Sequence, residues 1–367
     1  MIRFFLSVLI VCYCLALVSC SELAASTPSA GSTTIKASAY PDLQAAIDAI
    51  PASGGTLVID GQFEAKPGTA CTHVSGSAAP CLYLRSNIRI LGDGVTSKIY
   101  TTSTSLTALQ ILASDSITVQ GVEFAGVWTK GMQPENAVAV YIDVYGTTPS
   151  TRVTVQDCRA HNFPFDGLWA RNGTSQIHFL HNESFDNAWN AIEIEAHDSS
   201  ILDNDLHDNR GQGVEVYSAA QRISIANNHA YRDAVGIKLV NDPEFGELSA
   251  ISVVGNSVND NMQDGILYLS TSAGVAPSGL VAITGNTAIG NQHDGISLDY
   301  SGIGIVVSDN VVSGNSFADI SISQVSDIVV SNNILTALPS APRAANGILV
   351  TPDSLRIHVL NNAVDGF

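Results

Sequence analysis

One six-residue pattern recurs through most of the chain: apolar-x-apolar-x-polar-Asn. It spans 223–228, 251–256, 305–310, 328–333 and 357–362. Its last position recurs at Cys158, Asn182, Asn204, Asn228, Asn256, Asn286, Asn310, Asn333 and Asn362, in steps of 24, 22, 24, 28, 30, 24, 23 and 29 residues. A unit this short cannot enclose a core alone, so it must stack on its neighbours. The shortest steps fit one turn of three short strands and three bends. Longer steps absorb insertions.

Period-2 alternation sends Ile and Val inward and small polar groups outward. Asn at a bend tolerates unusual backbone angles, and its amide can bond its counterpart in the next coil. A second ladder follows five residues on, at Asn187, Asn209, Asn261, Asn291 and Asn315. Glycines at 213, 265 and 295 then open a further strand. At the front, Asp42 caps a short helix whose apolar face is Leu43, Ala46, Ile47 and Ile50; Pro51 ends it, and Gly54-Gly55 turns into a strand. Such a helix plugs the open end of a solenoid. The expected fold is all-β, a right-handed parallel β-helix of about 10–11 coils over residues 39–367 with an N-terminal capping helix.

These features resemble the pectate-lyase-like β-helix superfamily. The resemblance covers about residues 39–367. It implies architecture more than chemistry, because the superfamily includes lyases, hydrolases, epimerases and non-catalytic surface proteins.

Ahead of the repeats, Arg3 precedes an apolar run from Phe4 to Val18, followed by Ser19-Cys20. This is a targeting segment, shorter than a spanning helix needs. It resembles the lipobox of bacterial lipoproteins, which implies a lipid on Cys20 and an exported, envelope-anchored protein; a plainly cleaved signal is the alternative. Residues 21–38, rich in Ser, Thr and Ala, read as a flexible tether. Cys71 and Cys81 flank a Gly/Ser/Ala/Pro loop and are the expected disulfide. Cys158 reads as a buried thiol. The 34 acidic residues against 16 basic give a charge of −18. That argues against nucleic acid as a partner and disfavours simple capture of an acidic polysaccharide, unless a cation such as Ca²⁺ reverses the local sign.

In the strand after the glycine, alternate residues face out. Two outward columns result: Ala139, Trp169, Glu193, Glu215, Lys238, Leu267, Ser297, Ser321; and Tyr141, Arg171, Glu195, Tyr217, Val240, Leu269, Asp299, Ser323. Three clustered carboxylates repel unless a cation, a proton, Arg171 or Lys238 offsets them, which suggests a task. Trp169 and Tyr217 suit stacking on sugar rings, and Asp166 lies nearby. Another column holds His161, Phe185, His207 and Tyr231; His207 would serve as acid or base if it faced the same groove.

Three mechanisms fit. In a calcium-assisted lyase, Glu193, Glu195 and Glu215 would bind Ca²⁺ while Lys238 or Arg171 removes a proton. The Glu193-Ile194-Glu195 pair is similar to the calcium-binding Glu-x-Glu of chondroitinase B and related alginate lyases, but 196–200 lacks the lysine that follows it there. In a hydrolase, two carboxylates would act as acid and as base or nucleophile. In an epimerase, a His/Tyr/Lys set would move a proton; the Asp-Pro-His motif of alginate epimerases is absent, since Gly167 follows Asp166. The leading expectation is an exported enzyme that cleaves a polysaccharide. The alternative is a non-catalytic glycan-binding or structural surface protein. Asp264 and Asp294, each before a glycine, read as turn residues.

Overall fold

The computed structural model describes residues 33–66, 82–271, 280–300, 303–337 and 346–367. Cys20, Cys71 and Cys81, with the signal segment and the proposed lipid and disulfide, lie outside the described residues. A compact unit spans Thr34–Phe367. The first described strand, Thr33–Lys36, falls within the stretch expected to be tether.

The described residues form three long parallel sheets of 13, 11 and 12 strands, coiled as a right-handed β-helix. One coil runs through Gln221–Ala226, His229–Tyr231 and Val235–Asn241, one strand in each sheet. The inward row of the repeat, with Ile201, Ile225, Val253, Ile283, Val307 and Val330, is buried. Each such aliphatic side chain contributes about 1.5–3 kcal/mol. The helix Leu43–Ala49 caps the N-terminal end, with Asp42 Oδ1 accepting the Ala45 N–H at 2.8 Å and Leu43, Ala46 and Ile47 buried.

Asparagine ladders fix the register between coils. Each Oδ1 accepts the backbone N–H of the preceding rung, from Asn182 to Cys158 (3.0 Å) through to Asn362 to Asn333 (2.9 Å). The left-handed backbone expected at the ladder Asn belongs instead to the residue before it, as at Asp157, Asp203, Asn227, Asp309 and Asn332. Asp and Asn tolerate that region. The ladder Asn is thereby left free to bond along the stack. In the second ladder, Asp233 occupies the coil between Asn209 and Asn261. Gly265 is required for clearance: a Cβ there would stand 2.6 Å from the Gly295 carbonyl oxygen of the next coil.

Candidate functional site

The site lies on the 11-stranded sheet. Its register pairs Tyr141 with Trp169, Trp169 with Glu193, Glu193 with Glu215, and Glu215 with Lys238. From Trp169 onward this is the expected first column. Before it the expectation slips: Val140 pairs with Leu168, so Tyr141 stands in the first column in place of Ala139, and Asp143 replaces Tyr141 in the second. The inserted segment 126–136 precedes this strand and obscured the alignment.

A third ladder sets the bend that feeds this sheet. Asp166 Oδ1 accepts the Asn190 N–H at 2.8 Å, and Asn190 Oδ1 accepts the Gln212 N–H at 2.9 Å. Being held there, Asn190 aims its Nδ2 at two carboxylates, Glu193 Oε2 (3.0 Å) and Glu215 Oε2 (2.9 Å). Lys238 Nζ donates to Glu215 Oε1 at 2.9 Å. Glu193 and Glu215 are 8% and 6% exposed, and Asp166 is fully buried.

Charge is settled by a proton. Asp166 Oδ2 has no hydrogen-bond donor. Burial, then the charge of Glu193, raises the Asp166 pKa well above the carboxylate range. Burial, then Glu215, pushes Glu193 up to about 8. Asp166 and Glu193 thus retain proton between them at neutral pH, while Glu215 is matched by Lys238. Full burial makes the expected substrate contact at Asp166 sterically inaccessible.

Beside this cluster, Glu195 accepts from Trp169 Nε1 (3.2 Å) and the Asn172 N–H (3.3 Å), and its Oε1 lies 3.3 Å from Arg171 Nε. Burial raises its pKa, and Arg171 opposes the rise. The Arg171 guanidinium covers the Trp169 ring at 4.8 Å. Trp169 meets Tyr141 edge-on (5.0 Å) and Phe165 (5.3 Å), and Phe165 stacks with Trp189, which is 44% exposed. An aromatic platform therefore borders the acids. Tyr217 turns toward the inserted segment 241–248, with its hydroxyl 3.4 Å from Asp242 Oδ2 and its ring 6.2 Å from Phe245.

His207 and Tyr231 are not brought to this cluster. Their strands belong to the 12-stranded sheet. There His207 stacks between Phe185 (5.1 Å) and Tyr231 (5.0 Å), and its Nδ1 engages Asp208 Oδ2 at 2.7 Å. Nor do Glu193, Glu195 and Glu215 form the expected calcium site: Glu195 turns to Arg171 and Trp169, and Glu215 to Lys238. Among the described residues, the group whose ligand atoms all lie within 4.8 Å is Asp264, His293 and Asp294.

The right-handed β-helix region model matches residues 107–279 and 274–367. The chain belongs to the right-handed β-helix family. Among solved structures, this β-helix is similar to the A-module of the Azotobacter vinelandii mannuronan C-5 epimerase AlgE4, at 14% identity and a TM-score of 0.70, covering 91% of this chain and 98% of that one. The periplasmic alginate epimerase AlgG is 15% identical with a TM-score of 0.55, covering 90% and 84%. The DFA-IIIase of Arthrobacter chlorophenolicus A6, in complex with DFA-III, is 14% identical with a TM-score of 0.59, covering 86% and 89%. At such identities the likeness is one of fold. No curated protein matches the sequence significantly.

The residues that sequence reasoning missed are Asn190, Asp143, Phe165 and Trp189. Asn190 carried a signal: like Asp166, it stands two positions before the first inward residue of its strand.

Proposed function

We propose that this β-helix is an exported glycoside hydrolase acting on a polysaccharide, with Glu193 as the proton donor and Glu215 as the nucleophilic carboxylate. The observation that carries this reading is the Asn190 amide bonded to both carboxylates, with Glu215 ion-paired to Lys238 and Glu193 pushed up to about 8 by burial and by Glu215. Their shared donor keeps the two oxygens within about 6 Å, compatible with the spacing of retaining enzymes. Glu193 gives its proton to the glycosidic oxygen as that bond breaks, and Glu215 closes on the anomeric carbon. Water then displaces Glu215 while Glu193 takes back a proton. The exposed Trp189, with the half-buried Phe165 and Trp169 beside it, offers aromatic surface to the sugar.

A lyase or epimerase needs a free base, and both Lys238 and Arg171 are ion-paired with carboxylates. The fold neighbours support a polysaccharide substrate, since two are named for alginate or mannuronan epimerisation. Export is supported by the N-terminal sequence and by the periplasmic neighbour, and a lipid on Cys20 is inferred from the N-terminal sequence alone.

The test is mass spectrometry of products from neutral and uronate-containing polysaccharides, with calcium and with chelator. Full-mass oligosaccharides insensitive to chelation are expected, and Glu193→Gln and Glu215→Gln should each lower turnover by about 10³-fold. Products one water lighter would replace hydrolysis with elimination. Retention of glycan without product would favour a binding module, for which the exposed Trp189 ring is suited.

A further inference from the structure

We propose that Asp264, His293 and Asp294 bind one divalent transition-metal ion of the zinc type, joining two consecutive coils and leaving one coordination position open to solvent. The site is independent of the acid pair. It lies on the same bend, two to three coils further along the solenoid.

Distances come first. His293 Nδ1 lies 2.8 Å from Asp264 Oδ1 and 3.3 Å from Asp294 Oδ2. Around an ion with bonds of ~2.0–2.1 Å, tetrahedral ligand atoms stand about 3.3 Å apart. All three ligand atoms lie within 4.8 Å of one another, so small side-chain rotations bring them to that spacing. The second observation is an unmet acceptor. Nδ1 carries at most one proton, and the 2.8 Å bond takes it to Asp264. Asp294 is 1% exposed; its Oδ1 accepts the Ala318 N–H, and its Oδ2 faces Nδ1 without a donor of its own. The imidazole meets that oxygen only as an ion-pair partner at 3.3 Å, and a cation between them would bind both.

The ligands are also held in place. Asp294 N–H donates to Asp264 Oδ1 at 2.9 Å, and the His293 ring stacks on Phe317 at 5.0 Å with planes 7° apart. Such outer contacts orient metal ligands. The ladder itself does not require the histidine. The residues preceding the equivalent bend positions are Phe165, Trp189, Gly211, Ala234, Gln263, His293 and Phe317, with imidazole only at His293. One imidazole with two carboxylates favours a zinc-type ion over Ca²⁺, which takes six to eight oxygens. His293 is half exposed, so the fourth position faces water.

Chelator-treated protein would be titrated with ZnCl₂ by calorimetry, and with CoCl₂ while following visible absorption. One ion per chain, a raised Tm and a tetrahedral Co²⁺ spectrum are expected. His293→Ala and Asp294→Asn should each weaken binding by at least about tenfold. Glu193→Gln should bind as the wild type does. His293→Ala keeps every ladder bond, so the coil should still fold and its titration is decisive. No saturable binding, binding unchanged in His293→Ala, or binding lost in Glu193→Gln would each overturn the assignment.

Discussion

Replacing Glu193 by Gln should make the protein more stable while removing activity. The ordinary Glu value of 4.5 is raised to about 8 in the folded state. Below pH 4.5 both folded and unfolded chains hold the proton, and the group contributes nothing. Between the two values the unfolded chain ionises and the folded one does not, so stability falls as pH rises. The loss is about 1.4 kcal/mol per pH unit, hence about 3 kcal/mol at pH 7. Glutamine has no proton to lose. Its oxygen can still accept from Asn190, and its amide supplies the donor that Asp166 Oδ2 lacks. For a unit of this length, 3 kcal/mol corresponds to a Tm shift of about 4 °C. Thermal unfolding of both proteins at pH 4.5, 7 and 8 reads it directly. The Tm difference should be near zero at pH 4.5 and grow to pH 8. A Gln variant less stable than the wild type at pH 8, or a difference that ignores pH, would refute the shared-proton account. Such a gain is expected where catalysis requires a carboxyl held against its preferred charge.

The same proton predicts an alkaline limit: turnover should fall above about pH 8, where Glu193 ionises and no longer donates, as a pH–rate profile would show. In the ladders, Asn228→Ala strands buried partners at Asn204, Ile201 and Asn256 and should cost about 3–5 kcal/mol in denaturant unfolding. Asp233→Asn should do the reverse: burial raises the pKa of Asp233 and its Oδ2 has no partner, so an amide donor should add about 1–3 kcal/mol at pH 7. Cys158, buried and pushed up to about 12, should resist thiol reagents at pH 8 until the chain unfolds, as a time course with and without denaturant would reveal.

The solenoid was legible in the sequence because its decisive contacts join the same position of successive repeats. Asn182, Asn204 and Asn228 recur at steps of 22 and 24 residues, and each step is one contact along the stack. The inward Ile and Val rows and the Asp42 cap are local in the same sense. From Trp169 to Lys238 the outward column was equally readable, since coils there differ little in length. Where an insertion intervenes, as before Tyr141, spacing no longer reports register. The chemistry was decided in three dimensions. Whether His207 meets Glu193 depends on which sheet each strand joins, and a short bend separates them. Whether three glutamates bind a cation depends on side-chain direction: Glu195 turns to Arg171, Glu215 to Lys238, and Glu193 to Asn190. Burial of Asp166 and Glu193 side by side holds the proton there. Desolvation is a property of the packed coil, and no local pattern in the chain encodes it.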